Sequence, residues 1–257
     1  MADLIAVEQV TKVYETNAEP IHALGPVDLA VQPGEFVAIV GPSGCGKSTL
    51  LLLVAGLLDC TSGEVTVGAS RVRGPRTDVG IVFQTPALAE WRDVLGNVLL
   101  QVEMRRLRAG DHLERARGLL AAVGLAGFER RLPHELSGGM QQRTAFCRAL
   151  VHDPPLVLMD EPLGALDALT RDQLRIDLER LWMQSGKTVL FVTHSITESV
   201  QLADRVIVMS PRPGGIDKVV RIDLPRPRTI EVREGARFHA YVREITEIFF
   251  RRGVLTK

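Results

Sequence analysis

One stretch constrains this chain more than any other: Gly41-Pro42-Ser43-Gly44-Cys45-Gly46-Lys47-Ser48-Thr49. It satisfies G-x-x-x-x-G-K-[ST] at every fixed position. The preceding Phe36-Val37-Ala38-Ile39-Val40 is apolar and of buried-strand length. The following Leu50–Leu57 segment reads as helix. A strand, a glycine-rich loop and a helix in that order form a phosphate cradle. Gly41, Gly44 and Gly46 free the backbone to turn several N–H groups toward one anion. The helix starting near Lys47 adds its positive dipole end. Lys47 would reach the β- and γ-phosphates, and Ser48 would offer its hydroxyl to Mg²⁺.

Composition narrows what such a loop can serve. The 257 residues favour one composite domain. Thirty-one basic residues balance 31 acidic ones, so no global basic field draws the chain to nucleic acid. Cys45, Cys60 and Cys147 are widely spaced and odd in number, which excludes a zinc pattern or a disulfide framework and suits a reducing compartment. Met1-Ala2-Asp3-Leu4-Ile5 lacks the basic-then-apolar pattern of a secretory signal. No apolar run reaches the length needed to cross a bilayer. Work at a membrane would therefore require docking on a separate membrane subunit.

Along the chain, 4–14 and 27–31 read as strands around a loop at 15–26, where Asn17, Pro20, Gly25 and Pro26 cluster. Tyr14 is either an aromatic platform for adenine or a half-buried strand tyrosine, and spacing favours the latter. Asp78-Val79-Gly80-Ile81-Val82-Phe83-Gln84 is an apolar strand ending in a polar residue. From 92 to 125 the texture becomes helical, with arginines interleaved with acids on solvated faces, which suggests a helical insertion in an α/β core. In Leu136-Ser137-Gly138-Gly139-Met140-Gln141, Ser137 can cap a helix. Two glycines at a helix start cost stability, and their use would be close backbone approach to a phosphate.

Leu156-Val157-Leu158-Met159-Asp160-Glu161 describes a buried strand that delivers two carboxylates at its C-terminal edge, where open α/β sheets bind ligands. Following a phosphate loop, Asp160 would hold Mg²⁺ and Glu161 would polarise an attacking water. Thr188–His194 repeats the device: His194 either caps the next helix or donates to a γ-phosphate. His22, His112, His134, His152 and His239 lack such a setting. Residues 210–228 read as loops and short edge strands, and 234–251 as a terminal helix.

Together these elements resemble the ATP-binding subunits of ABC transporters over nearly the whole chain. The specific part is the 136–141 stretch placed shortly before 156–161. The resemblance implies a P-loop NTPase with a RecA-like core, an N-terminal antiparallel β subdomain and an inserted α-helical subdomain. The core would occupy about 1–87 and 148–224, the helical part about 88–147, and a C-terminal helix about 230–252. By the same resemblance Tyr14 becomes the adenine-stacking aromatic, Gln84 a sensor of Mg²⁺ and the attacking water, Asp167 a loop residue crossing a dimer interface, and His194 the switch histidine. Ser137, Gly138, Gly139 and Gln141 would cap the γ-phosphate of ATP held by a partner copy.

Three stretches, Pro86–Val94, Asp160–Arg171 and Ala203–Gly214, look like the nitrate/sulfonate/taurine import group, with one departure at Glu90, where that group often carries proline. The implied unit is a homodimer or a paired ATPase on the cytoplasmic face of the inner membrane. It would bind permease subunits directly and a periplasmic or lipid-anchored substrate-binding protein indirectly, with ATP and Mg²⁺ and without nucleic acid. Two other readings are a soluble ABC-type ATPase acting on nucleic acid or ribosomes, and a P-loop kinase. Zero net charge and the sequence after Gln84 oppose the first, and the second leaves 136–141 without a role.

Overall fold

In a computed structural model, the chain divides into two compact units, 1–76 with 188–257, and 77–187. The structure describes residues 3–17 and 19–255, so Met1 and Ala2 of the N-terminal stretch lie outside it.

The first unit opens with β1 (Ile5–Tyr14) and β2 (Ile21–Val31), followed by β3 (Phe36–Val40), α1 (Lys47–Val54), β4 (Ser62–Val67) and the short β5 (Ser70–Arg71). Strands β2, β1, β4 and β5 form an antiparallel sheet in that order. Strand β2 starts at Ile21, inside the stretch expected to be loop. Gly25 and Pro26 sit within it, because register shifts in the β1–β2 ladder accommodate residues that a regular strand would reject. Helix α1 ends at Val54, earlier than expected, and Gly56 then adopts a φ of 70°.

The second unit carries β6 (Val79–Val82), α2 (Val94–Met104), α3 (Ala109–Ala122), a 3₁₀ turn at Pro133–Glu135, α4 (Gly138–Leu150), β7 (Leu156–Asp160) and α5 (Ala168–Ser185). Strands β6 and β7 pair in parallel. Gly80 lies so close to the Ala149 carbonyl of α4 that no side chain would fit there. Helices α2, α3 and α4 bury Val94, Val98, Val102, Ala116, Leu120, Ala145 and Phe146 as the apolar face of the insertion.

The chain then returns to the first unit with β8 (Thr188–Thr193), α6 (Ile196–Leu202), β9 (Arg205–Met209), β10 (Ile216–Arg221), α7 (Ile230–Glu234) and α8 (Ala236–Arg251). Strand β3 lies parallel between β8 and β9, and β10 pairs antiparallel with β9. All five residues of β3 and all six of β8 are buried, as expected of strands covered on both faces. The 210–228 region thus holds a full six-residue strand as well as loops. Among the described residues no helix is long and apolar enough to cross a membrane.

Candidate functional site

The phosphate loop leaves the buried end of β3 and enters α1 without a side-chain cap. Gly46, at the N-cap, has φ 98°, and Gly44 has φ 75°; both are left-handed conformations that favour glycine. The first amides of α1 are therefore not engaged by a capping side chain, and an anion can take that place. Lys47 is 5% exposed, and its ammonium donates to the carbonyls of Gly41 (3.0 Å) and Pro42 (3.1 Å). Its charge is thus fixed across the loop. Ser43 and Gly44 are exposed at the tip, whereas Cys45 is buried. Burial pushes the Cys45 thiol up, against the pull of the neighbouring Lys47. Cys45 is therefore packing material rather than a reactive thiolate.

Tyr14, at the end of β1, is half-buried, and its hydroxyl lies 3.2 Å from Thr49 Oγ1 on α1. Lys12 Nζ stands 5.3 Å from the Tyr14 ring centroid and donates to the Asp59 carbonyl at 2.7 Å. The ring is thus held beside the phosphate loop by a hydroxyl contact and a cation on the π system. Lys12 was not singled out from sequence, although residues two apart on a strand share a face. His194 is exposed immediately after β8, whose Thr193 pairs with Val40 of β3. His194 and Gly41 therefore follow neighbouring strand ends at one sheet edge. The cap of α6 is Ser195, whose Oγ accepts from the Glu198 amide at 3.3 Å, so His194 is not that helix's cap.

A second loop, 210–215, braces the first from outside the motif. Arg212 Nε donates to the Gly44 carbonyl at 3.3 Å. The Gly214 amide donates to Ala23 O at 3.1 Å, and its carbonyl accepts from the Gly25 amide at 2.9 Å. A Cβ on Gly214 would overlap the Cys45 carbonyl oxygen. Nothing in the loop motif announces a partner 168 residues away.

In the second unit, Val82 pairs with Met159, so Gln84 after β6, and Asp160 and Glu161 at the end of β7, lie at the ends of two adjacent parallel strands. Glu161 has φ 44°, a left-handed conformation that is strained for a residue with a side chain. That turn re-aims the backbone at the strand end, and the Glu161 carbonyl accepts from the Gly164 amide at 3.0 Å. The exposed Gln84 follows Phe83, whose carbonyl accepts from Gln142 Nε2 of α4 at 3.1 Å. Arg148 of the same helix donates to Pro86 O (2.6 Å) and Ala87 O (2.8 Å). Asn97, fully buried, donates to three carbonyls of the 89–93 turn and accepts from the Ala89 amide. Trp91 on that turn remains 83% exposed.

Ser137 caps α4, its Oγ accepting from the Met140 amide at 3.3 Å. Ser137 and Gly138 are exposed and Gly139 is buried. Gln141 Nε2 donates to Pro133 O at 2.9 Å, so this side chain is engaged within its own chain. Asp167 caps α5 by accepting from the Thr170 amide at 3.0 Å. The Thr170 hydroxyl and amide hold the Asp167 carboxyl below the usual carboxylate range.

A phosphate loop with a fixed lysine, on one α/β unit, and a strand-end pair of acids, on another, define a P-loop nucleotide-binding cassette. The ABC transporter family model matches residues 24–164. An uncharacterised ABC transporter ATP-binding protein of Methanocaldococcus jannaschii is 46% identical over 244 residues, covering 95% of this chain and 90% of that one. A taurine import ATP-binding protein of Burkholderia pseudomallei is 46% identical over 226 residues, covering 88% and 86%. A solved dimeric ATP-binding cassette bound to ADP and Pi superposes with a TM-score of 0.75 at 34% identity, covering 85% of this chain and 98% of that one. The chain belongs to the ABC transporter family and is an ATP-binding, ATP-hydrolysing subunit of that family.

Proposed function

We propose that this chain is the ATPase subunit of a binding-protein-dependent importer, taking up a small anion such as taurine, another sulfonate or nitrate. The observation that carries the reading is that the chain holds a braced phosphate loop and also an exposed Ser137-Gly138 turn at a helix start. The taurine import relatives support the substrate class. Two copies act together on the cytoplasmic face of the inner membrane, against permease subunits and, through them, a substrate-binding protein. Within each copy the helical subdomain spans about 88–147. The exposed Trp91, on a turn that Asn97 holds rigid, suits the permease contact.

In this reading the amides of the loop from Gly41 to Thr49, together with Lys47, bind the phosphates, and Tyr14 carries the adenine. Ser48, Gln84 and Asp160 would each offer an oxygen ligand, a chemistry that suits Mg²⁺ better than a softer metal. When bound, Mg²⁺ supplies charge neutralisation on the phosphate oxygens. Glu161 accepts a proton from the water that attacks the γ-phosphorus, with His194 donating to the γ-phosphate. Ser137, Gly138 and Gly139 reach the partner's ATP, Gln141 holds their turn through its bond to the Pro133 carbonyl, and Asp167 crosses the interface beside them. Closure then depends on charge-assisted hydrogen bonds to a γ-phosphate, each about 1.5–3 kcal/mol, and hydrolysis removes their target.

Glu161→Gln is expected to lower the hydrolysis rate by about 10²–10⁴-fold while the protein still binds ATP. Near-normal turnover would remove Glu161 from the role of base. Ser137→Arg should abolish ATP-dependent pairing, measured by sedimentation, while the monomer still takes up ATP; a normal ATP-bound dimer would refute the capping role. The import reading is tested by co-expression with candidate permeases and taurine uptake into vesicles. Co-purification with RNA or DNA and with no membrane subunit would overturn it.

A further inference from the structure

The two glycines of the Ser137-Gly138-Gly139 turn have different surroundings. A Cβ on Gly138 would meet nothing within 4 Å. A Cβ on Gly139 would overlap the Thr170 methyl Cγ2 and stand 3.7 Å from Thr170 Cβ and 3.9 Å from its Oγ1. Gly139 is therefore bare because its own chain packs a methyl there, whereas the space over Gly138 is open to an approaching molecule. Thr170 also faces the other way. Its amide donates to Asp167 Oδ1 at 3.0 Å, and its hydroxyl lies beside the same carboxylate. One side chain thus touches the start of α4 with its methyl and the cap of α5 with its hydroxyl.

The same two helices are fixed a second time further along. Arg143 of α4 pairs with Asp177 of α5 at 3.1 Å, with the two side chains 19% and 7% exposed. Gln173 Nε2 donates to Asp177 Oδ1 at 3.0 Å. α4 and α5 thus meet at two heights, at Gly139 and Thr170 and again at Arg143 and Asp177. The first-turn contact lies between the two caps, Ser137 and Asp167.

We propose that Thr170 is a positioning residue that locks the Ser137–Gly139 turn to Asp167, so that both segments meet the partner subunit's ATP as one preorganised tip. Preorganisation matters because a γ-phosphate contact made by a wandering loop loses affinity to the cost of ordering it. The proposal rests on the reading that Ser137 and Asp167 act across a dimer.

The test uses the full-length protein carrying Glu161→Gln, so that ATP persists, and measures ATP-dependent dimerisation by analytical ultracentrifugation. A fluorescent ATP analogue reports binding to the monomer at low protein concentration. Thr170→Val keeps the packing methyl and removes the hydroxyl; it is expected to weaken dimerisation by about tenfold while monomer ATP binding stays unchanged. Gly139→Ala is expected to weaken dimerisation more, by clashing with the Thr170 methyl. Adding Thr170→Ser, which removes that methyl and keeps the hydroxyl, should restore most of the loss. A double variant as defective as Gly139→Ala alone, with Thr170→Val dimerising normally, would overturn the proposal. If Gly139→Ala does not fold, the Thr170→Val comparison decides alone. Ser137→Arg runs alongside: normal dimerisation there would refute the across-dimer reading itself. Blocked dimerisation with normal Thr170→Val would refute only the role of Thr170.

Discussion

Gly214→Ala probes whether the phosphate loop is held by a segment that its motif does not contain. A Cβ at this position would overlap the Cys45 carbonyl oxygen and stand 3.0 Å from the Cys45 carbonyl carbon and 3.0 Å from Met209 Cε. Non-bonded carbons settle at about 3.5–4.0 Å and the overlap with the carbonyl oxygen is deeper still, so the two backbones must part by more than about 1 Å. Gly214 cannot easily give way, because its amide and carbonyl are both tied to residues 23–25. Those residues in turn press on Gly46, where a Cβ would lie 2.5 Å from Leu24 Cδ2 and 2.8 Å from Ala23 O. The displacement therefore falls on residues 44–46, whose amides form the cradle.

Two costs separate by state. Overpacking strain of about 1–3 kcal/mol is present with or without nucleotide and lowers the melting temperature, by about 2–4 °C per kcal/mol for a chain of this size. Misaligning one charge-assisted amide–phosphate bond costs about 1.5–3 kcal/mol in the bound state only. The second term raises the Kd for ATP by about 10- to 100-fold. Titration with a fluorescent ATP analogue and a thermal melt read the two effects independently. Gly215→Ala is the control: its Cβ would meet only Ser210 Oγ, at an ordinary 3.6 Å, and both readouts should match wild type. A Gly214→Ala protein that binds ATP within about twofold of wild type would refute the brace.

Two further perturbations probe the second unit. Burial, aided by the Arg105 guanidinium and then Arg115, lowers the pKa of His152 from 6.5 to about 4, against the weaker opposing pull of a backbone hydrogen bond at Val79 and of Asp153. The unfolded chain takes the proton first, so this contribution to stability is complete above pH 6.5 and is lost as pH falls toward 4. His152→Gln should flatten the melting-temperature profile across that window, and an unchanged slope would remove His152 as its source. Asp177→Ala leaves the half-buried Arg143 without its carboxylate and should cost about 2–3 kcal/mol in urea unfolding, below the range for a fully buried pair, whereas Arg143→Met with Asp177→Leu should cost less than either single change. Additive losses would show that the pair is not coupled.

The parts of the site that were legible in the sequence are those whose chemistry and local structure coincide. The phosphate loop is one: apolar β3, three glycines, Lys47 and the start of α1 are contiguous, so one window shows strand, turn and helix together. Asp160 and Glu161 at the end of β7 are another. The start of β2 was hidden because Gly25 and Pro26 signal a loop unless one knows that the ladder with β1 shifts register there. The supports of Gln84 were hidden for a different reason. Gln142 and Arg148 act through backbone carbonyls of residues 83, 86 and 87, and a carbonyl carries no sequence signature.

Glycine illustrates the limit most clearly. The sequence marks Gly44, Gly46, Gly138, Gly139 and Gly214 identically, and the structure sorts them into different cases. Gly44 and Gly46 need positive φ. Gly214 needs room for the Cys45 carbonyl, Gly139 needs room for the Thr170 methyl, and Gly138 needs nothing inside its own chain. A glycine at a helix start that serves no internal contact still costs helix stability relative to alanine. That cost, left without an intramolecular reason, points outward. Under the proposed dimer, it is the physical argument for setting the partner's nucleotide against the exposed Ser137-Gly138 face of that turn, with Gly139 approaching it through its backbone.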